Sequence, residues 1–337
     1  MAAHICSANP AAADGCGSDV ESGIIALGVG PYTVLAYVPE SALGKPAPLV
    51  IDLHPSGSKG VDDIKDIAPL ADEEGFVLLA PTGVVGPLYS GWTWNVPGVP
   101  AFTSGTSKAA SEEDGDPTAK FRDDVEFIGK AIDQVIEKTC IDTNRIYAMG
   151  FSGGARMASQ LACDMSDRIA SVVALSGLRF PKASDKDLGL PYAEECAPER
   201  PIAVQAIHGK WDPVNVWASE PPGESPFKTA GDDPKPIYVK APVEGTSWAY
   251  SGETALKRWV EFSGCDPDPV ATELAEGVTE YEYQNCKGGK EVSLVFYEML
   301  GHLVSGHEKP WAPGQAAGPI DGYALAWDLL KDDRLDE

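Results

Sequence analysis

The stretch that most constrains this chain is 145–154, RIYAMGFSGG, an apolar strand pattern running straight into Gly150-Phe151-Ser152-Gly153-Gly154. This is G-x-S-x-G in the context that gives the motif meaning. A serine at the apex of a strand-to-helix turn is held in a strained backbone, and glycines flank it because a side chain there would meet the neighbouring strand or helix. Residues 155–163, ARMASQLAC, contain strong helix formers and no proline, so strand, turn and helix are all legible. The turn presents the Ser152 hydroxyl at the end of a sheet.

The 337 residues, 43% of them hydrophobic, suffice for a large core, and we read them as one α/β unit. Residues 1–30 read as an N-terminal extension, and 31–337 as a single catalytic domain with insertions at about 81–120 and 209–252. With 26 Lys+Arg against 51 Asp+Glu, the formal net charge is -25, which repels phosphate backbones and anionic lipid. Neither nucleic acid nor a membrane surface is therefore expected as a partner. No apolar run reaches the roughly 20 residues of a membrane span. The first twenty residues lack the basic start and apolar centre of an export signal. Seven cysteines nevertheless point to an oxidising compartment, so the expectation is a secreted protein without its signal peptide here. No Cys-x-x-Cys pair or histidine spacing suits zinc, and no metal or cofactor is expected.

Along the chain, Tyr32–Val38 alternates as an edge strand, and 48–54, PLVIDLH, suits a buried parallel strand. Helix 61–74, ended by Gly75, and strand 76–80 complete one βαβ unit. Helix 122–138 leads into the strand before Ser152. Strands 170–175, 202–208 and 292–297, with helices at 253–263 and about 320–330, continue the alternation. The fold class is α/β, with a mostly parallel central sheet, helices on both faces and long loops at one edge.

A serine hydroxyl becomes a nucleophile only when a base takes its proton and a third group fixes that base. In open α/β sheets such groups gather at the carboxyl ends of strands. His302 lies just past strand 292–297, and His307 lies five residues further on; His302 is the preferred base. Asp212 follows strand 202–208, so the order is Ser152, Asp212, His302, that of α/β-hydrolases. Two backbone N–H groups are needed for a developing oxyanion: Gly153 supplies one, and in the loop His54-Pro55-Ser56-Gly57 the second falls to Ser56, because Pro55 has no N–H. The insertions follow strand ends on the same edge, so Trp94 and Trp217 are candidate substrate-binding residues for a bulky ester. Helix 153–163 and strand 145–149 are each about 16 Å long, which would return Cys163 to Cys140 and let them pair.

LVIDLHPSGS, LADEEGFVLLAPTG, the segment from FRDDVEF to VVALSG, ERPIAVQAIHGKWDPVNVW, ETALKRWVEFSGC and FYEMLGHLVSGH together resemble the secreted esterase family that includes feruloyl esterases, acetylxylan esterases and polyhydroxybutyrate depolymerases. The resemblance covers most of residues 32–330. It implies an α/β-hydrolase acting on carboxylic esters, with the family's nucleophile, acid and base on Ser152, Asp212 and His302. It also implies a Cys265–Cys286 pair; Cys196 is then expected to take Cys6 or Cys16. The chain departs from the family's His-Gly at His54-Pro55, and from its tryptophan-proline pair at Leu303-Val304. The expected protein is a monomeric feruloyl-type serine esterase, with a polyester depolymerase as the alternative and a serine peptidase behind it.

Overall fold

The computed structural model describes residues 20–88, 91–96, 122–180, 196–212, 214–218, 251–307 and 318–335. Among these, ten strands form one sheet. Strands β1 (Gly23–Val29), β2 (Tyr32–Val38), β3 (Ala47–Leu53) and β4 (Val77–Ala80) make one end. A separate hairpin pairs β5 (Val85–Leu88) with β6 (Gly91–Thr93). Then come β7 (Ile141–Phe151), β8 (Ser171–Leu175), β9 (Ala203–Gly209), β10 (Val270–Ala275), β11 (Val278–Tyr283) and β12 (Val292–Tyr297). The sheet order is β1-β2-β4-β3-β7-β8-β9-β12-β11-β10, parallel from β4 to β12 and antiparallel at both ends.

Alternate residues of each central strand feed two cores. From β3, Leu49, Ile51 and Leu53 pack with helices α2 (Asp124–Lys138), α3 (Gly153–Asp164) and α4 (Gly252–Ser263), while Val50 packs with α1 (Gly60–Glu74) and α5 (Gly322–Leu330). A parallel strand covered on both faces reads as a nearly continuous apolar run, which residues 48–53 are apart from the buried Asp52. Helix α1 stops at Gly75, whose φ of 77° is the left-handed conformation that ends helices. The architecture is the doubly covered, mostly parallel sheet that the sequence predicts.

Two expectations need correction. The stretch 1–30, read as an extension, contains β1, which pairs along its whole length with β2 and buries Leu27 and Val29. Its outward positions are Ile24, Ala26 and Gly28, so its outward face carries no polar signal of a strand. The second correction concerns the cysteines: Cys163 bonds Cys196, not Cys140. Strand β7 begins at Ile141 rather than 145, so it runs about 36 Å against about 18 Å for α3, and Cys140 is carried well past the end of the helix. Cys140 is itself disulfide-bonded, with a partner outside the described residues. Cys196 is thereby taken, and neither Cys6 nor Cys16 pairs with it; the Cys265–Cys286 bond is present as expected.

Candidate active site

Ser152 sits between β7 and α3 with φ 55° and ψ -112°, a backbone that side-chain-bearing residues avoid. The strain is held from several sides. Its N–H donates to Leu175 O at 2.9 Å, a Cβ on Gly150 would stand 2.5 Å from Gly154 C, and Cβ atoms on Gly154 and Gly177 would overlap Leu53 O and Ser152 O. The strand-to-helix turn thus closes only with glycine at these places.

The other two strand ends bring their residues to it. His302 Nε2 lies 3.0 Å from Ser152 Oγ, and His302 Nδ1 lies 2.7 Å from Asp212 Oδ2. Because a carboxylate only accepts, Nδ1 carries the proton and Nε2 is left to accept from the serine hydroxyl. Asp212 Oδ1 takes the Val214 and Asn215 N–H groups, each at 2.8 Å. Burial would raise the Asp212 carboxyl, but His302, His208 and the Asn215 N–H outweigh it and hold it below the ordinary carboxylate range. The loops after β9 and β12 are tied together: Lys210 N–H donates to Tyr297 O (2.9 Å), Trp211 N–H to Leu300 O (3.0 Å) and Trp211 Nε1–H to Glu298 O (2.9 Å). Phe151 lies against the His302 ring, centroids 4.8 Å apart. His307 instead meets Asp321 at 2.8 Å and packs on Tyr323, so of the two candidate bases only His302 reaches the serine.

Around Asp212 stand further polar residues. Asn215 receives a hydrogen bond from Arg156 on its side-chain oxygen, donates from Nδ2 to Ser176 O at 2.5 Å, and accepts His208 Nε2–H on its carbonyl at 2.8 Å. His208 is buried, its pKa lowered by that burial, and its Nε2 is 3.7 Å from Asp212 Oδ2. It closes the turn that carries Asp212 rather than facing Ser152. Burial and the nearby Arg179 bring Arg156 down to about 10, with Asp212 opposing, so its guanidinium stays charged at neutral pH.

Ser56 and Gly153 are brought together. A Cβ on Gly153 would stand 3.0 Å from Ser56 N and overlap Ser56 Oγ. Among the described residues, neither N–H is used by the hydrogen bonds of the surrounding loops. Pro55 serves without an N–H, its carbonyl accepting from His54 Nδ1 (2.8 Å) and Ser58 N (3.1 Å). Gly83 N–H donates to His54 Nε2 at 3.0 Å, so the buried imidazole is neutral and spans the loop.

Trp94 is 3% exposed, its Nε1–H donates to His54 O at 2.9 Å, and its ring lies 4.7 Å from that of His54. With Gly57 N–H to Trp92 O (2.8 Å) and Trp92 N–H to Ser58 O (2.9 Å), it braces the Ser56 loop from β6. Trp217 is half-buried against His208 and Phe296, at 5.0 and 5.5 Å between centroids. Beside it Val216 O and Trp217 O accept from Gly252 N–H (3.0 Å) and Glu253 N–H (2.9 Å). The remainder of the two insertions, 97–121 and 219–250, lies outside the described residues.

The chain is similar to known proteins. The phospholipase/carboxylesterase family matches residues 40–218, more than half of the chain. Feruloyl esterase B of Piromyces equi is 26% identical over 270 residues, which is 79% of this chain but only 41% of that protein. Feruloyl esterase B of Thermothelomyces thermophilus is 27% identical over 280 residues, 81% of this chain and 84% of that one. The solved acetyl xylan esterase from Aspergillus awamori shares the fold, with a TM-score of 0.52 at 15% identity, covering 83% of this chain and 94% of its own. The chain belongs to the phospholipase/carboxylesterase family and has its α/β-hydrolase fold.

Proposed function

We propose that this protein is a serine carboxylic ester hydrolase working through an acyl-enzyme on Ser152. The carrying observation is the continuous hydrogen-bonded chain Ser152 Oγ, His302, Asp212, set beside the adjacent Ser56 and Gly153 N–H groups. Ser152 Oγ attacks the ester carbonyl carbon while its proton passes to His302 Nε2. The oxygen that becomes negative is received by the Ser56 and Gly153 N–H groups, and Asp212 holds the imidazolium. As the tetrahedral intermediate collapses, the alcohol leaves with the proton from Nε2. Water then attacks the acyl carbon, giving its proton to Nε2, and the acid leaves as Oγ regains one.

An acyl ester of the feruloyl type is the preferred substrate, supported by relatives named feruloyl esterases at 26 and 27% identity. Two disulfides among the described residues, and no described helix long and apolar enough to cross a membrane, fit work outside the reducing cytosol.

The test is hydrolysis of para-nitrophenyl acetate, methyl ferulate and a peptide anilide by the protein and by its Ser152→Ala and His302→Ala variants. Both esters should be cleaved and the anilide spared, each variant should lose on the order of a million-fold in turnover, and the double variant little more. Turnover retained in Ser152→Ala overturns the mechanism; loss of ferulate but not acetate cleavage overturns the substrate class.

A further inference from the structure

We propose that the Ser56 hydroxyl is a third donor to the oxyanion, held in place by Thr93; this rests on the esterase reading above. Ser56 Oγ and Thr93 Oγ1 are 2.8 Å apart across 37 residues of sequence, and this is the one hydrogen bond that either hydroxyl makes among the described residues. Two hydroxyls bring two protons, and a single bond between them uses one. The spare proton belongs to Thr93 if Ser56 donates, and to Ser56 if Thr93 donates.

The surroundings decide between these. Thr93 is buried beneath the Ser56 loop, with Gly83 packed against its carbonyl, so a spare Thr93 proton would stay unsatisfied in the interior. Ser56 is half-exposed, and its Oγ fills the space where a Cβ on Gly153 would be, beside the N–H after the nucleophile. Thr93 Oγ1–H therefore donates to Ser56 Oγ, and the Ser56 proton is left for the negative oxygen that forms next to Gly153. No bond to substrate is made or broken; a neutral donor is aimed at charge that exists only in the intermediate, where such donors matter most. Thr93 is a positioning residue, and β6 is fixed to the loop on either side of it by Trp92 and Trp94.

Ser56→Ala keeps the backbone N–H and removes only the hydroxyl. It should lower kcat by about 10² to 10³-fold, the usual loss for one oxyanion donor, with ester binding to the Ser152→Ala background unchanged. Binding of a phenylboronic acid, which forms a tetrahedral adduct with a serine oxygen, should weaken by a similar factor. Thr93→Val should lose part of this, and Thr93→Ser should restore most of it. If Ser56→Ala keeps kcat and boronate affinity while Ser152→Ala is inactive, this inference fails and the esterase reading stands. If Ser56→Ala loses thermal stability and ester binding together, with boronate affinity intact, the hydroxyl only packs the loop and the inference fails likewise. An active Ser152→Ala would overturn the esterase reading itself.

Discussion

The Ser56 hydroxyl occupies the space that a side chain on Gly153 would need, so the residue after the nucleophile and the loop after β3 are fitted to each other atom by atom. Gly153→Ala places a methyl there, 3.0 Å from Ser56 N, and must push the Ser56 loop away. Turnover should fall by about 10²-fold or more without loss of stability, since alanine favours a helix start over glycine. Adding Ser56→Gly vacates the space but also removes the hydroxyl donor, so turnover should stay low in the double variant. Steady-state kinetics on one small ester would check this; a Gly153→Ala variant with ordinary kcat would show that the loop yields freely.

Trp94 braces the same loop through His54, which changes what its replacement should do. Trp94→Phe keeps most of the packing but removes the hydrogen bond to His54 O. Acetate and ferulate esters should lose kcat by one common factor, about 5- to 20-fold for a bond of roughly 1 to 1.8 kcal/mol. A loss confined to the ferulate ester would put the ring against substrate after all.

The Cys163–Cys196 bond closes 33 residues of sequence and ties the end of α3 to the segment before β9. On chain-entropy grounds its removal in a Cys163→Ala/Cys196→Ala variant should cost about 3 to 4 kcal/mol of stability. Non-reducing peptide mapping should find these two cysteines in one linked pair, and a Cys140–Cys163 peptide would contradict the fold's strand lengths.

Glu291, before β12, is pushed up from 4.5 to about 7, first by burial and then by Glu282, Asp333 and Glu280, with a hydrogen bond to Glu282 adding to it. Between these values the folded protein holds a proton that the unfolded chain has released, so this group's contribution to stability falls as pH rises, and is fully lost above about 7. Glu291→Gln should match the parent near pH 4.5 and gain stability up to pH 7. The gain should be on the order of 1 kcal/mol, because the residue is only partly shielded and keeps more than a third of its surface in water, which screens its neighbours. Melting curves across this range would decide it; parallel curves would mean that Glu291 ionises normally.

Much of the site was legible because its parts are local or follow from strand ends. The turn around Ser152 needs only its own glycines and the helix after it, and Asp212 and His302 each follow a buried apolar strand. Sequence alone left His302 and His307 both eligible, since both follow β12; what separates them is Asp321, which engages His307 from the start of α5. Trp94 reads differently in the fold for a related reason. A tryptophan in a Gly- and Pro-rich loop looks like a ligand surface until its Nε1–H is seen to end on a carbonyl 40 residues away. Thr93 and Asn215 carry no motif, and their roles exist only through contacts that the folded chain creates.

The pairing of Val216 and Trp217 with Gly252 and Glu253 has a consequence for how the protein can diversify. The chain departs at 218 and re-enters at 251 through a single doorway whose jambs are hydrogen-bonded to each other. Asp212 is secured before that doorway by Asn215 and His208. The position of Asp212 is therefore fixed on the near side of that doorway, by residues that precede it. Loop-closure entropy grows only logarithmically with the length of chain between two joined ends, by about 0.6 kcal/mol per doubling, so the pairing at the doorway is weakly sensitive to that length.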